Sequence, residues 1–417
     1  MNTRNKSHLL LLSLLVLVMS FAAPALATDS TADSALAALA QQKASTLVND
    51  LGVTSVQYAV ISNGEIILSG NGGVYSRTDD RPITADTMYG IGSTSKVFTT
   101  AAIMILVDSG KVALDAPVTE YIPEFTMADP RYRQITVRML LNHSSGLMGS
   151  TFRNAFLCND PDQAARDMLL ADLASQRLKA APGEFSVYCN DGFTLAELVV
   201  ERVSGESLTD FIRHNITVPL GMANTATPQD AFDRSRLART YVDALYGYAV
   251  VDTIGVIGTG GIYSTAEDLC RFARIFMNDP GADGADGILS VPSRSAMAAS
   301  EYAKGIWPVQ RCSFVGYGLG WDAVSSYPFD YYGMKAPAKG GDTQLYHSTL
   351  LVLPTANVAA AIVSSGGSSA LNLMVASELL QQLLESRGIL TAARPEVPNG
   401  KPVAAVMPPT LLGHSGL

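Results

Sequence analysis

The hydrophobic and polar positions near the start of the folded chain predict a helix followed by a β-hairpin. Residues 35–50 carry apolar side chains at helical spacing, which indicates an amphipathic helix. Two β-rich runs, residues 56–62 and 65–69, flank Asn63-Gly64. This dipeptide supplies two residues with positive φ and is typical of a tight hairpin turn.

Helical patterns dominate the middle of the chain, and strand patterns return near its end. Residues 93–109 are mostly apolar and stop at Gly110, which predicts a helix ended by glycine. Residues 111–310 alternate helical segments with proline and glycine, and an Ala/Leu-rich helix is predicted near residues 370–386. Three late strands are predicted at residues 317–324, 346–353 and 358–363. The fold class is therefore α/β in the α+β sense: one antiparallel sheet from the N- and C-terminal segments, flanked by helices, with a helical subdomain inserted between them.

The first 27 residues are typical of an export signal. Arg4 and Lys6 precede an apolar run at residues 9–21, and Ala25-Leu26-Ala27 supplies small residues at the recognition positions. We predict cleavage after Ala27 and a secreted or periplasmic protein with no transmembrane segment in the mature chain. An uncleaved anchor is the alternative, although 13 residues are fewer than the ~20 that a helical span needs.

The predicted signal and a proline-rich tail leave one folded body. Residues 28–394 are expected to form it, with the sheet part at about 28–80 and 314–394 and the helical part at about 81–313. Prolines at 395, 398, 402, 408 and 409 indicate that residues 395–417 are a linker or tail that does not pack on the body.

Composition and charge exclude some classes of function. The 417 residues are 47% hydrophobic and 16% charged, which indicates a large core and no general disorder. The formal charge of −9 becomes −11 when the signal is removed with Arg4 and Lys6. No basic stretch compensates locally, so we expect no nucleic-acid partner.

Four cysteines remain after cleavage, and they do not indicate a metal site. They are Cys158, Cys189, Cys270 and Cys312. None forms a Cys-x-x-Cys pair and no histidine lies near enough in sequence to suggest zinc. Disulfides persist outside the cytoplasm, and three pairing schemes are possible. Buried free thiols are the alternative.

Reactive chemistry is indicated at Ser93-Thr94-Ser95-Lys96. A serine in the first turn of a helix lies at the positive end of the helix dipole, which favours developing negative charge. Lys96 follows three residues later on the same face. Because this helix is apolar nearly all round, Lys96 is expected to be buried and to lose some preference for its charged form. Serine with a desolvated lysine is a known way to activate a nucleophile; an N-cap serine with a surface lysine is the alternative.

A longer stretch around this serine resembles a known family. Residues 84–98 read Thr-Ala-Asp-Thr-Met-Tyr-Gly-Ile-Gly-Ser-Thr-Ser-Lys-Val-Phe. This segment resembles the nucleophile segment of the serine β-lactamase and penicillin-binding-protein superfamily. The class C-like branch of β-lactamases, D-Ala-D-Ala carboxypeptidases, D-aminopeptidases and esterases is most similar. The resemblance runs from about residue 53 to 382 and implies a β-lactamase/transpeptidase-like fold.

Two further motifs of that family have counterparts in the chain. Tyr188-Cys189-Asn190 matches the Tyr-x-Asn element. Lys339-Gly340-Gly341, followed by Asp342, is the candidate for the Lys-Thr-Gly or His-x-Gly strand beside the site. Gly340 departs from the pattern, because it lacks the hydroxyl that β-lactamases use near the antibiotic's carboxylate, and this argues against efficient β-lactam hydrolysis. A solvated lysine in a glycine loop is the alternative for Lys339.

The resemblance implies a serine hydrolase that forms an acyl-enzyme on Ser93. Lys96 would accept the serine proton and Tyr188 would assist proton transfer to the leaving group and from water. The backbone N–H groups of Ser93 and Asp342 would form the oxyanion hole. The expected substrate-binding residues are Asn190, Lys339, Gly340, Gly341 and Asp342. No metal or organic cofactor is implied, and the substrate would be a peptidoglycan-like D-amino-acid peptide, a β-lactam or an ester. A catalytically silent penicillin-binding-like sensor is the alternative.

Other hydrolase classes fit less well, and one disulfide is favoured. The chain contains no Gly-x-Ser-x-Gly motif of an α/β-hydrolase. A histidine triad would need one of three histidines: His143, His214 or His347. His143 lies in a turn that resembles a structural turn of the family, and His347 is predicted on the same strand as the Lys339 motif. A disulfide between Cys158 and Cys189 would hold Tyr188 and Asn190 in register.

Overall fold

The protein is described by a computed structural model that covers residues 30–151, 156–158, 164–239, 241–242, 247–248, 252–277, 287–301 and 316–391. The strands are β1 (Ser55–Ser62), β2 (Glu65–Ser76), β3 (Asp79–Pro82), β4 (Tyr89–Gly90), β5 (Phe156–Cys158), β6 (Tyr241–Val242), β7 (Gly247–Tyr248), β8 (Asp252–Ile254), β9 (Tyr263–Ser264), β10 (Ala338–Asp342), β11 (Tyr346–Leu353) and β12 (Val358–Ser365). The helices are α1 (Ser30–Asn49), α2 (Ser95–Asp108), α3 (Val137–Leu141), α4 (Ala164–Ala174), α5 (Asn190–Ser204), α6 (Leu208–Ile212), α7 (Ile257–Gly260), α8 (Ala266–Ala273), α9 (Val291–Met297) and α10 (Ser369–Ser386).

Strands from the two ends of the chain form one six-stranded antiparallel sheet, which confirms the predicted fold class. Its order is β10-β11-β12-β1-β2-β3. The remaining short strands pair two by two, β4 with β9, β5 with β8 and β6 with β7. The main sheet therefore places β10 at its edge, beside the helical part of the chain.

The central strands are buried on both faces, because helices cover each side of the sheet. On β1, Ala59 and Ile61 face the core that contains α2, α5 and α8, while Tyr58 and Val60 face the core of α1 and α10. This alternation follows from the two-residue period of a strand. It explains why β1 and β12 are buried at every position and carry apolar side chains on both faces.

Several local predictions are confirmed by the structure. The hairpin turn has Asn63 at φ +50° and Gly64 at φ +83°. The helix predicted at residues 93–109 is a 3₁₀ turn, Gly92–Thr94, followed by α2, and Gly110 follows it at φ +70°. β2 extends beyond residue 69, because its glycines pair with β1 in register, with Ser55 opposite Gly73.

The prediction of a strand at residues 317–324 is wrong. This segment is a bend in which the N–H of Gly318 bonds the carbonyl of Trp321, and Gly320 has φ +81°. A Cβ on Gly320 would lie 2.4 Å from Thr100 Oγ1, so the bend depends on glycine at this position. The bend ends where Ala323 bridges Ala338, at the start of β10.

The predicted export signal and the predicted tail lie outside the described residues. Within the described part of the chain, no helix is both long enough and apolar enough to cross a bilayer.

Candidate active site

Ser93 and Lys96 meet at the start of α2, as their spacing predicts. Lys96 is fully buried, and its Nζ donates to Ser93 Oγ at 3.0 Å and to the carbonyl of Thr259, on α7, at 2.7 Å. Burial lowers the pKa of Lys96 well below its ordinary value, and the positive charge of Lys339 lowers it further, while Asp322 acts in the opposite direction. An amine in this environment favours the neutral form, which can accept the serine proton.

Tyr188 lies between the two lysines of the site. Its hydroxyl hydrogen-bonds Ser93 and lies 3.5 Å from Lys339 Nζ, and each lysine nitrogen is 5.0 Å from the centre of its ring. Burial raises the pKa of Tyr188, and the positive charge of Lys339 partly offsets this. The phenol therefore keeps its proton at neutral pH and can pass a proton between neighbouring oxygens.

His143 supports Tyr188 from behind. The two rings stack with their centres 4.4 Å apart, and His143 Nδ1 accepts the N–H of Cys189 at 3.0 Å. Burial lowers the pKa of His143 well below its ordinary value, and both Lys339 and Lys96 act in the same direction. A neutral histidine whose Nδ1 is already occupied is suited to holding the Tyr188 segment in place.

The predicted disulfide between Cys158 and Cys189 is not formed in the structure, in which Cys189 is a free and buried thiol. Its Sγ donates to the carbonyl of Gly149 at 3.5 Å, and burial raises its pKa to about 11. The side chain of Cys158 lies outside the described residues, as does Cys312, and Cys270 is also a buried free thiol. The hydrogen bond from Cys189 to His143 therefore performs the positioning that was expected of the crosslink.

Lys339 lies on β10 and is paired with a residue that the sequence analysis did not identify. Asp322 accepts from Lys339 Nζ at 2.5 Å through Oδ1 and from the N–H of Gly340 at 3.1 Å through Oδ2. Burial has the largest single effect and acts to lower the pKa of Lys339, but the charge of Asp322, the Tyr188 oxygen and the hydrogen bonds to both residues together raise it. The ammonium is therefore charged and already has a counterion.

Two glycines allow β10 to approach the Ser93 turn closely. A Cβ on Gly341 would lie 1.9 Å from the carbonyl oxygen of Ile91 and 2.7 Å from the Thr94 nitrogen. Gly92 has φ +50°, and its Cβ would lie 2.8 Å from the Asp342 nitrogen. Only glycine fits at these positions without moving one of the two backbones.

The backbone N–H of Asp342 faces the Ser93 turn. Next to β10, the N–H of Thr343 donates to the carbonyl of Tyr346 at 2.9 Å. At the other end of the strand, the N–H of Val352 on β11 donates to the carbonyl of Pro337. Antiparallel strands alternate the direction of successive N–H groups, so that of Asp342 points away from β11. This orientation agrees with the oxyanion-hole role expected for it.

Asn190 begins α5 beside Tyr188. Its Nδ2 donates to Ser150 Oγ at 2.8 Å, and Thr259 Oγ1 donates to its backbone carbonyl at 2.8 Å. Thr259 therefore touches both Asn190 and Lys96, a link that no short motif indicates.

The three candidate histidines have other partners than Ser93. His347 lies on β11, opposite Asp342, and not on the strand of Lys339 as predicted; its Nδ1 is 2.6 Å from Asp342 Oδ1. His214 pairs with Glu206. In the described part of the chain, no group of three or more His, Cys, Asp or Glu side chains is placed to hold a metal ion.

Comparisons with known proteins show the family and the fold of the chain. The family model described as "Beta-lactamase" matches residues 39–384. The penicillin-binding protein 4 of Amycolatopsis lactamdurans is 28% identical over 335 residues, which cover 78% of this chain and 84% of that protein. The D-alanyl-D-alanine-carboxypeptidase/endopeptidase AmpH of Escherichia coli (strain K12) is 29% identical, over 54% of this chain and 58% of its own length. A class C beta-lactamase structure has a TM-score of 0.68 at 20% identity, over 84% of this chain and 96% of that one, and shows the shared fold.

Proposed function

Since this chain belongs to the beta-lactamase family of serine hydrolases, we propose that it cleaves D-amino-acid peptides, β-lactams or esters through an acyl-enzyme on Ser93. The observation that carries the proposal is the 3.0 Å contact between Ser93 Oγ and the Nζ of the fully buried Lys96. A nucleophile and its base at hydrogen-bond distance, with the base held neutral by burial, are the minimum requirement for acyl transfer.

The first half of the reaction forms the acyl-enzyme. Lys96 accepts the proton of Ser93 while Oγ attacks the substrate carbonyl, and the N–H groups of Ser93 and Asp342 stabilise the negative oxygen that forms. The bond to the leaving group then breaks, and Tyr188 delivers a proton to that group. Its position beside Ser93 and between two lysines supports this role.

The second half releases the product by hydrolysis. A water molecule gives a proton to the Tyr188 phenolate and attacks the ester carbonyl, and the departing Ser93 oxygen takes back the proton that Lys96 holds. Asn190 would orient the substrate, and the glycines of β10 would let the strand lie close enough to the Ser93 turn to complete the site.

An active-site label tests the proposal. A fluorescent phosphonate should modify the wild-type protein, and Ser93→Ala should abolish both labelling and turnover while the melting temperature stays unchanged, because the hydroxyl serves bond formation and not packing. Nitrocefin, D-Ala-D-Ala peptides and p-nitrophenyl esters, assayed on one sample, identify the substrate class. Labelling or burst-phase acylation that persists in Ser93→Ala would refute the mechanism.

Export is part of the same proposal and rests on the pattern of residues 1–27. Protein recovered from the periplasm or the medium should begin at Thr28 when its N-terminus is sequenced.

A further inference from the structure

We infer that Asp322 selects against substrates that carry a carboxylate on the leaving-group side of the scissile bond. This inference rests on the proposed function and narrows its substrate class to esters and amides whose leaving group is neutral or cationic there. The inference depends on the contacts that Asp322 makes with Lys339 and Gly340 of β10.

Asp322 fills an anion site that the chain itself builds. An ammonium and a backbone N–H, those of Lys339 and Gly340, converge on one carboxylate at 2.5 Å and 3.1 Å. Charged donors of this kind are the groups that bind a ligand carboxylate. Here both are taken by an internal carboxylate.

The position of this pair relates it to the leaving group. Lys339 Nζ is 3.5 Å from the hydroxyl of Tyr188, the residue proposed to protonate the leaving group. Lys339 is only 1% exposed, whereas the Asp322 side chain is 27% exposed. The partner of this pair that is open to solvent is therefore the Asp322 carboxylate, and the lysine is covered.

Among the described residues, the neighbours of this pair on β10 and α10 add no unpaired positive charge, and Lys179, whose charge also acts on His143, has its Nζ 3.4 Å from the carbonyl of Met148. Gly340 has no hydroxyl, and the space its side chain would take is occupied by Ser369 Oγ, 2.9 Å from the Cβ position. Ser369 in turn donates both its N–H and its hydroxyl to Asp342, a second carboxylate on the same strand, which also pairs with His347. Tyr188 and His143 are held neutral, and burial favours neutral Lys96.

A substrate carboxylate at this position would face a like charge or have to displace it. Like charges in close contact disfavour binding strongly, and displacement would leave Asp322 without its two partners. Neutral leaving groups avoid both costs.

The test compares two esters that differ in one carboxylate. The acyl group is taken from the best substrate in the panel described above, and the leaving group is either D-lactate or D-lactamide. We expect kcat/KM for the lactamide ester to exceed that for the lactate ester by at least about tenfold, and Asp322→Asn to reduce this ratio by at least about tenfold. Because both esters use the same Ser93 and Lys96, any change in the catalytic groups cancels in the ratio.

A matched control removes one negative charge elsewhere. Asp50→Asn, at an exposed site after α1, should leave the ratio unchanged. Asp322→Ser repeats the test if the asparagine variant does not fold. The ratio of kcat/KM values for the two esters in the wild-type enzyme tests the inference without any variant.

The outcomes separate this inference from the proposed function. A wild-type enzyme that cleaves both esters equally, or prefers the lactate ester, overturns the inference and leaves the Ser93 mechanism standing. An unchanged ratio in a folded Asp322 variant also overturns it. Absence of turnover with the whole panel overturns the proposed function and the inference with it.

Discussion

At the scale of single residues, the proposed chemistry depends on an amine whose pKa is lowered by burial. Lys96 contacts Ser93 and Thr259, and the positive charge of Lys339 disfavours a second charge beside it. Asp322 limits this effect by neutralising Lys339. The site therefore holds one lysine with a raised pKa and one with a lowered pKa on either side of Tyr188.

This assignment predicts that lysine and not histidine is the base. Lys96→Ala should slow acylation by roughly 10²–10⁴-fold, the usual contribution of a general base. His143→Ala and His347→Ala should cost less, since His143 stacks on Tyr188 and His347 pairs with Asp342. Single-turnover acylation of each folded variant measures this, and a histidine variant as slow as Lys96→Ala would require a histidine triad.

At the scale of elements, α5 and α7 together hold Lys96, the proposed base. Glu197 of α5 is fully buried, and its Oε2 accepts the N–H of Gly258 at 2.8 Å. The carbonyl of Thr259, the next residue of α7, accepts a hydrogen bond from Lys96 Nζ. The other oxygen of Glu197 has no hydrogen-bond partner among the described residues and lies 4.0 Å from Arg166 Nη1. Burial, followed by the charge of Glu201, raises the pKa of Glu197 to about 8.

The raised pKa predicts a stability that falls with increasing pH. Between the ordinary value of 4.5 and about 8, the folded state holds the Glu197 proton more tightly than the unfolded chain does. The free energy of unfolding therefore decreases across this range, at up to about 1.4 kcal/mol per pH unit. Glu197→Gln keeps the size of the side chain and removes its titratable carboxyl group. The melting temperature of this variant, relative to that of the wild type, should therefore rise from pH 5 to pH 8.

Thermal unfolding followed at several pH values measures this difference. Glu65→Gln is a suitable control, because Glu65 is an exposed carboxylate at the start of β2. If the melting curves of wild type and Glu197→Gln stay parallel with pH, Glu197 is not protonated in the folded protein at neutral pH.

At the scale of the whole molecule, the sheet joins the two ends of the described chain. β1 pairs with β12 over eight residues, and α10 closes the sheet at Ser386. The sheet and the site are thus completed by residues before the proline-rich tail.

We predict that deletion of residues 396–417 leaves both stability and turnover almost unchanged. The tail has no helical or strand periodicity, and each site residue lies before it in the chain. Melting temperature and kcat/KM of the shortened protein test this. A fall of several degrees, or a large loss of rate, would show that the tail docks on the body.

The sequence by itself determined the features that depend on neighbouring residues. Asn63-Gly64 indicates a hairpin because its positive φ values are a local property, and Ser93 and Lys96 meet because three residues make nearly one helical turn. The motif spacing around these residues also indicated the family, which the match over residues 39–384 shows.

Only the tertiary structure decided which distant residues meet. Asp322 reaches Lys339 because a glycine bend at residues 317–324 ends beside β10. The apolar pattern of these residues had predicted a strand. Thr259 reaches Lys96 across 163 residues of chain, and Cys189 bonds His143 in place of a predicted disulfide. Such contacts depend on how helices and strands pack, since burial and charge at a site come from side chains that no local spacing brings together.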